Sequence, residues 1–372
     1  MPLAERRCNM FIKMLRITTF IVALSPMIMK GQTFELSKRF DRSFKLAKTT
    51  EVNISNKYGN VHLLQWEKDS VRFEIEVNIR SSKESRVEKL ANEIDIQFSQ
   101  TPYYVNAISS FAGTGKLWAE ISDVTKSMLN AGNEAEINYT VWMPSWAIVK
   151  VENRFGNIYT TDHPAESEFK LSNGSLQAKA LTGKTRITIA FGDAMVKHIA
   201  DGQVELNYSE LDLEQTDKIN VSGKASTVHI ARAGHLHLVS RRDKITVDKL
   251  ESLSGESSFS RLELGELSSN LLLQATYGNL ELQEISPAME FLQLNASFTS
   301  IRLFLTKEQA AGLEIQYSKK ARIQYPQSLT VKEEQAGKSE NDFSLLKGHF
   351  GSGKGSSLKF NLTGGELNII QR

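Results

Sequence analysis

The sequence has little cysteine, no strong charge imbalance and no long apolar run. Its 372 residues include one cysteine, Cys8, so no intramolecular disulfide can form and stability has to come from packing and backbone pairing. Lysine and arginine total 45 against 43 acidic residues, which gives a net charge of +2. The absence of a basic block argues against a nucleic-acid partner. The longest apolar run, residues 17–29, is well short of the ~20 residues that a membrane-spanning helix needs.

The first 31 residues have the pattern of an export signal. An almost uncharged, mostly apolar run over residues 17–29 follows a basic segment, and Gly31 offers a small residue for cleavage. The basic residues are Arg6, Arg7, Lys13 and Arg16. We expect residues 1–31 to be removed and the protein to be exported; an uncleaved anchor or a buried helix is the alternative. Removal takes away Cys8, five basic residues and one acid, so the net charge becomes −2.

Residues 32–145 predict an N-terminal β region that contains one helix. Apolar and polar residues alternate strictly from Val71 to Ile79, the pattern of a half-buried strand. The period then changes to that of an amphipathic helix near residues 82–94, with Val87, Leu90, Ala91 and Ile94 on one face. We expect this helix to cover a sheet or the end of the repeat array; a membrane or partner surface is the alternative.

A short phrase then recurs about every eighteen residues through residues 146–325. It consists of an often aromatic residue, here called position zero, a turn-like residue, a polar residue and the start of a strand. Position zero is occupied by Phe155, Asn173, Phe191, Tyr208, Ala225, Arg242, Phe259, Tyr277 and Phe298, with an early copy at Tyr58 and a weaker one at Tyr317. A fixed period in this range is typical of a solenoid, in which each repeat covers its neighbour's core.

The residues three and five places after position zero are nearly all apolar, and the residue between them is mostly polar. Three places on are Ile158, Leu176, Ala194, Leu211, Val228, Ile245, Leu262, Leu280 and Ile301. This period of two predicts strands with one face inward. We therefore predict an all-β fold, a parallel β-helix or β-solenoid of about ten coils of ~18 residues, with left-handed turns at the second residue of each phrase. An antiparallel sandwich is the competing architecture. Residues 326–372 are expected to form a polar loop and closing strands.

Three phrases resemble a known family. They are Asn56-Lys57-Tyr58-Gly59-Asn60-Val61, Asn153-Arg154-Phe155-Gly156-Asn157-Ile158 and Ala275-Thr276-Tyr277-Gly278-Asn279-Leu280, together with the C-terminal Leu362-Thr363-Gly364-Gly365-Glu366-Leu367. Over roughly residues 45–372 the chain is similar to the bacterial "putative adhesin" family of exported β-strand-repeat envelope proteins. The resemblance implies an exported, non-enzymatic β-solenoid and supplies no catalytic residues.

Two pairs of outward residues are the candidates for chemistry. His235 and His237 share one face of a strand, but a metal site needs further ligands that are not identifiable, so we expect surface histidines and no metal. Glu263 and Glu281 occupy the same outward position in consecutive repeats, as the carboxylates of a polysaccharide-acting β-helix would. The alternative is a solvated face on which Arg302 pairs with Glu281.

The sequence therefore favours an exported, non-catalytic envelope protein, a scaffold or an adhesin-like binding surface. We expect it to need no cofactor and to recognise an envelope or surface partner, either protein or glycan, in the periplasm, at the cell surface or after secretion. A polysaccharide-acting enzyme and an accessory protein of an envelope stress-sensing system are the alternatives.

Overall fold

The computed structural model describes residues 33–111, 134–337, 343–353 and 355–372. In these ranges the protein is all-β with one short helix. The predicted export signal, residues 1–31, lies outside the described residues, as does Cys8. Within the described ranges, no helix combines the length and the apolar character needed to span a membrane.

The secondary-structure elements are numbered in chain order. The helix is α1 (Glu84–Glu93). The strands are β1 (Phe34–Lys45), β2 (Glu51–Lys57), β3 (Val61–Gln65), β4 (Ser70–Ser81), β5 (Ile94–Gln100), β6 (Tyr104–Phe111), β7 (Glu134–Met143), β8 (Ile148–Arg154), β9 (Ile158–Thr160), β10 (Ser167–Ser172), β11 (Ser175–Ala190), β12 (Asp193–Asn207), β13 (Glu210–Lys224), β14 (Thr227–Arg241), β15 (Lys244–Ser258), β16 (Arg261–Thr276), β17 (Asn279–Ile285), β18 (Phe291–Ser297), β19 (Thr299–Leu305), β20 (Ala311–Tyr317), β21 (Ala321–Gln324), β22 (Thr330–Gln335), β23 (Ser344–Phe350), β24 (Ser356–Leu362) and β25 (Gly365–Gln371).

The repeats from β8 to β19 lie side by side in parallel. Leu211 in β13 lies between Ala194 in β12 and Val228 in β14, so neighbouring residues are 17 places apart in sequence. The same stagger of one repeat relates β11 to β12 and β14 to β16. Each strand thus shares its backbone hydrogen bonds with the repeat before it and the repeat after it. This pairing is incompatible with the antiparallel sandwich over this part of the chain.

The apolar residues three and five places after position zero form the core. Every residue three places on is buried, from Ile158, which has no exposed surface, to Leu280, which is 4% exposed. The residues five places on, Thr160 to Leu303, are buried as well. Like residues therefore stack on like residues through the repeats, and each buried leucine or isoleucine side chain contributes about 1.5–3 kcal/mol by leaving water.

In ten phrases the left-handed residue is the first; among the second residues, only Gly59 at 155° and Gly365 at 94° have a positive φ. Position zero has φ between 50° and 64° in ten repeats, from Tyr58 to Phe298. The sequence pattern predicted this conformation at the following glycine, serine or aspartate, and for most phrases that prediction was wrong. Glycine recurs at the second position for a different reason: a Cβ at Gly156 would lie 2.0 Å from the carbonyl oxygen of Gly59 in the neighbouring repeat. The second position is constrained by close backbone approach.

Where the second position is not glycine, its side chain replaces missing backbone partners. Ser226 N–H donates to Asp243 Oδ1 at 2.7 Å, and Asp243 N–H donates to Ser260 Oγ at 3.0 Å. Asp243 is only 4% exposed, and its other oxygen accepts from Ser240 Oγ and the Arg241 N–H. Burial raises the pKa of the Asp243 carboxyl, and these hydrogen bonds oppose the shift. The variation among glycine, serine and aspartate is therefore structural.

The N-terminal repeat lies inside the array. Strands β2 and β3 pair in parallel with β8 and β9 on one side, and with β6 and β7 on the other. Beyond β7 the sheet continues antiparallel through β4 to β1, and β5 pairs antiparallel with β6. Helix α1 buries Val87, Leu90 and Ala91 and lies against β4 and β1. It covers a sheet, the placement that its amphipathic pattern favoured.

The last described strands also lie inside the array and do not close it. Strand β24 pairs in parallel with both β18 and β20, and β25 pairs with both β19 and β21. Tyr317 does not occupy position zero of a repeat, so that prediction was wrong. It lies opposite Leu362, which is two residues before the corner at Gly364. Residues 326–337, predicted as a polar loop, contain strand β22. This strand pairs antiparallel with β23, which in turn pairs antiparallel with β20.

Candidate binding surface

A row of aromatic side chains runs along one corner of the repeats. We call it the aromatic ladder; its members are the aromatic residues at position zero, Tyr58, Phe155, Phe191, Tyr208, Phe259, Tyr277 and Phe298. Neighbouring rings stack almost parallel: Phe191 on Tyr208 at 5.4 Å and 4°, and Tyr277 on Phe298 at 5.3 Å and 5°. The ring of Phe259 stacks on the other side of Tyr277, at 5.1 Å.

The backbone conformation makes aromatic residues an expensive choice for this corner. A left-handed residue other than glycine is disfavoured by roughly 1–2 kcal/mol, and a stacked aromatic pair returns about 0.5–1.5 kcal/mol. The two terms nearly cancel, while the rings stay in contact with water: Phe191 is 61% and Tyr208 54% exposed. Glycine would form the same corner without either strain or exposed apolar surface. The stability of the corner therefore does not explain the aromatic side chains.

The ladder is interrupted by Asn173 between Phe155 and Phe191, and by a longer gap in the middle of the array. Ala225 and Arg242 occupy position zero in the two repeats between Tyr208 and Phe259. With ~4.8 Å between neighbouring repeats, these rings lie about 14 Å apart. Tyr208 stacks on Phe191 with one ring face, so its other face is turned toward the small side chain of Ala225. One flat surface of the ladder is therefore open at this point.

A hollow of about 620 Å³ lies beside this open ring, and we call it the Ala225 hollow. Tyr208, Ala225 and Thr227 line it on the corner side, and Met195 and His229 on the sheet side. Its remaining polar side chains are Asp193, Ser209, Glu210 and Asp212. No lysine or arginine is among the side chains that line it. The hollow thus combines an apolar ring with an acidic wall.

A second hollow of about 570 Å³ continues from the first across the outward face of the sheet. Both are lined by Met195 and Asp212. Its far end is formed by His62 and Tyr159, whose rings stack at 4.6 Å and 14° although 97 residues separate them in sequence. The two hollows form one trough that crosses the strands from β3 to β14. A ligand in it would lie along the axis on which the repeats stack.

His229 connects two carboxylates on this face. Its Nδ1 lies 3.2 Å from Asp212 Oδ1, and its Nε2 lies 3.3 Å from Asp248 Oδ2. Burial of the ring opposes its charging, but the hydrogen bonds to both aspartates outweigh burial and raise the pKa of His229. The three side chains form a row across three neighbouring repeats.

The structure places Glu263 and Glu281 directly opposite each other on β16 and β17. Each carboxylate, however, has its own arginine: Glu263 Oε1 is 2.5 Å from Arg261 Nε, and Glu281 Oε2 is 2.7 Å from Arg302 Nη2. The hollow formed by these residues is only about 180 Å³. Paired carboxylates over a small hollow match a solvated face, on which each glutamate is held by a salt bridge.

His235 and His237 lie on β14 with exposed side chains, and Leu236 between them is buried. Both point away from the core, as the alternation predicted. The ring of His237 has Nδ1 3.1 Å from Ser254 Oγ in the neighbouring repeat. In the part of the chain that the structure describes, no three histidine, cysteine, aspartate or glutamate side chains are grouped as metal ligands.

The aromatic ladder and the trough are the features that sequence reasoning missed. The signal was present, because aromatic residues recur at position zero in most repeats. The turn was predicted at the residue after them, and the left-handed backbone that exposes them is not visible in an apolar–polar pattern. The break at Ala225 can be read from the sequence only after the ladder is known.

No family model matches this chain, and no curated protein matches it significantly. Among solved structures, it is similar to a putative adhesin from Parabacteroides distasonis at 10% identity, with 90% of this chain and 97% of that chain covered and a TM-score of 0.32. A putative lipid binding protein from the same organism is also 10% identical, with coverages of 89% and 96% and a TM-score of 0.29. A putative adhesin from Bacteroides fragilis is 12% identical, with coverages of 90% and 97% and a TM-score of 0.24.

Proposed function

We propose that this chain is an exported, non-catalytic, adhesin-like protein that binds an extended glycan along the axis of a β-solenoid. The solenoid comprises about ten coils of ~18 residues over residues 146–325, and residues 32–145 form an N-terminal β region with the helix. The observation that carries the proposal is the aromatic ladder, whose rings are exposed at backbone positions that glycine would fill with less strain.

The trough supports a polymer as the ligand. It crosses the strands from β3 to β14 and is open along its length, so a chain molecule can contact several repeats at once. Aromatic rings supply flat apolar surface, and Gln177, Asp212 and Lys197 supply hydrogen-bonding groups on the same face. A scaffold that only separates two other molecules would not need this surface.

A polysaccharide-acting enzyme is less well supported by the geometry. Glycoside hydrolysis needs one carboxyl that donates a proton and a second that acts as nucleophile or base. Glu263 and Glu281 each form a salt bridge with an arginine, and the hollow over them is only about 180 Å³, which leaves little room for a sugar ring. An accessory role in envelope stress sensing is compatible with the same surface if the partner is a protein.

The test compares binding and turnover on one glycan array and one polysaccharide digestion panel. The ladder variants Phe191→Gly and Tyr208→Gly keep the corner conformation and remove two adjacent rings beside the trough. The matched control is Tyr103→Ser, because Tyr103 is 76% exposed and lies outside the ladder. We expect each ladder variant to lose binding about five-fold and the control to retain it, since each ring supplies about 1 kcal/mol of contact. Equal binding by all variants would contradict the proposal, and release of sugar fragments would favour the enzyme.

A further inference from the structure

We propose that the Ala225 hollow is the subsite that recognises a positively charged amino sugar in the glycan. This inference rests on the proposed function and names the chemistry of its ligand. Its starting point is geometric: Ala225 interrupts the ladder, and Tyr208 therefore turns one ring face toward a hollow of about 620 Å³. A flat ring that enters the hollow takes the place of the missing rung and stacks on Tyr208.

The charge around the open ring selects a cation. Asp193, Glu210 and Asp212 line the hollow, and its one basic side chain is His229, whose ring nitrogens are already engaged by Asp212 and Asp248. Asp193 accepts a hydrogen bond from Ser175 Oγ at 2.5 Å, and Asp212 is beside His229. Glu210 is exposed and has no ion-pair partner among the described residues. An ammonium group near an aromatic face is further stabilised by the quadrupole of the ring.

The next repeat fixes which side of the gap the cation occupies. Asp193, Glu210, Thr227 and Lys244 occupy the same outward position in four successive repeats, so Lys244 is the neighbour of Thr227. At the corner, Arg242 occupies position zero in the repeat after Ala225. These two basic residues repel an ammonium group on the side of Phe259. The favourable potential therefore lies on the Tyr208 side, where the ring face is open.

The backbone around the hollow favours a sugar over a peptide. An extended peptide is commonly bound by adding a strand to a free sheet edge. Here the N–H of Glu210 donates to Gly192 O at 3.0 Å and that of Thr227 to Ser209 O at 3.0 Å, so the strands are already paired on both sides. The polar side chains are therefore the hydrogen-bonding groups that the hollow offers to a ligand. A sugar can use them fully, because its apolar ring face covers Tyr208 while its amine and hydroxyls reach the carboxylates.

The experiment measures binding of a fully deacetylated chitosan hexamer and of its N-acetylated counterpart by calorimetry at low salt. The two probes have the same backbone and differ in charge. We expect wild type to bind the amine form about ten-fold more tightly, and added salt to reduce that preference. Ala225→Phe fills the gap with a side chain that position zero already accepts at Phe259, and we expect it to weaken binding of the amine form at least about ten-fold.

A second variant keeps the test informative if Ala225→Phe does not fold. Glu210→Gln preserves shape and removes one charge, and we expect it to weaken binding of the amine form about three-fold. The control Glu256→Gln removes an exposed carboxylate on a different face and should leave affinity unchanged. Equal affinity of wild type for both hexamers would overturn the proposal, as would an undiminished affinity of Ala225→Phe and Glu210→Gln.

The remaining outcomes separate this inference from the proposed function. Ladder-dependent binding of neutral glycans alone would overturn the amino-sugar subsite and leave the proposed function standing. Binding of a lysine-rich peptide, sensitive to Ala225→Phe, without binding of the chitosan hexamer would overturn the glycan assignment. No ladder-dependent binding of any glycan would overturn both.

Discussion

The buried histidine at position 163 makes the stability of this protein depend on pH in a way that can be calculated. His163 is only 1% exposed, and neither ring nitrogen has a hydrogen-bond partner within the described residues. Burial lowers its pKa from 6.5 to about 4, and backbone groups of Ala147 and Glu166 oppose the shift only in part. The ring is therefore mostly neutral in the folded protein at pH values well above 4.

The sign and size of the effect follow from this shift. Above pH 6.5 the ring is neutral in both states and contributes no pH dependence. As the pH falls from 6.5 to about 4, the unfolded chain takes up a proton that the folded protein does not, so the free energy of unfolding decreases. At about 1.4 kcal/mol per pH unit the loss reaches about 3 kcal/mol at pH 4.

The assay is urea unfolding of wild type and His163→Gln at a series of pH values from 7.5 to 4.5. Other groups also contribute to the pH dependence; the raised pKa of Asp243, for example, gives a contribution of opposite sign. The difference between the two proteins cancels such shared terms. We expect the wild-type stability to fall by about 2–3 kcal/mol more than that of the variant between pH 7 and 4.5. A difference that stays constant over this range would refute the reasoning, as would an NMR titration of the His163 ring with a midpoint near 6.5.

Three further predictions concern packing and pairing. Leu280→Asp should lower the melting temperature far more than Leu280→Ala, which itself should cost about 2–5 kcal/mol, because the carboxylate has no partner in the buried column; similar melting of the two variants would contradict the inward placement. Tyr277→Gly should change the free energy of unfolding by less than about 1 kcal/mol, because released backbone strain offsets two lost stacks; a much larger loss would mean that the ladder is chiefly structural. Deletion of residues 356–372 should make residues 311–325 sensitive to proteases, since β20 and β21 lose their parallel neighbours; unchanged protection in limited proteolysis would argue against the observed pairing.

Much of the fold could be predicted because burial leaves a periodic record. The residues three and five places after position zero are apolar in nearly every repeat, and they are the residues that the structure buries. The left-handed corner was misplaced because glycine at the second position, as at Gly156, is explained equally well by φ or by close approach. The spatial order of the terminal repeats could not be predicted, because the apolar–polar alternation of β24 is compatible with pairing to any neighbouring strand that alternates in the same way. Tyr317 was misassigned for this reason.

The candidate site was less predictable than the fold. Glu263 and Glu281 were correctly placed as neighbours, but their importance depended on whether other side chains neutralise them, and Arg261 does so from the same strand. The Ala225 hollow is created by a small residue in a row of large ones. Periodicity identifies the residue type that recurs at a position, whereas this hollow exists because Ala225 lacks the aromatic ring that most other repeats have there.

The placement of β2–β3 and β24–β25 inside the array has a consequence for the order of assembly. A stack built only from consecutive repeats can grow from one end as the chain emerges. Here residues 51–65 obtain their second neighbour only when residues 148–160 arrive, and residues 311–324 obtain their parallel neighbour only when residues 356–371 arrive. Both ends of the array are therefore completed late. A chain interrupted before residue 356 leaves four strands, β18, β19, β20 and β21, with a parallel edge available to any other strand.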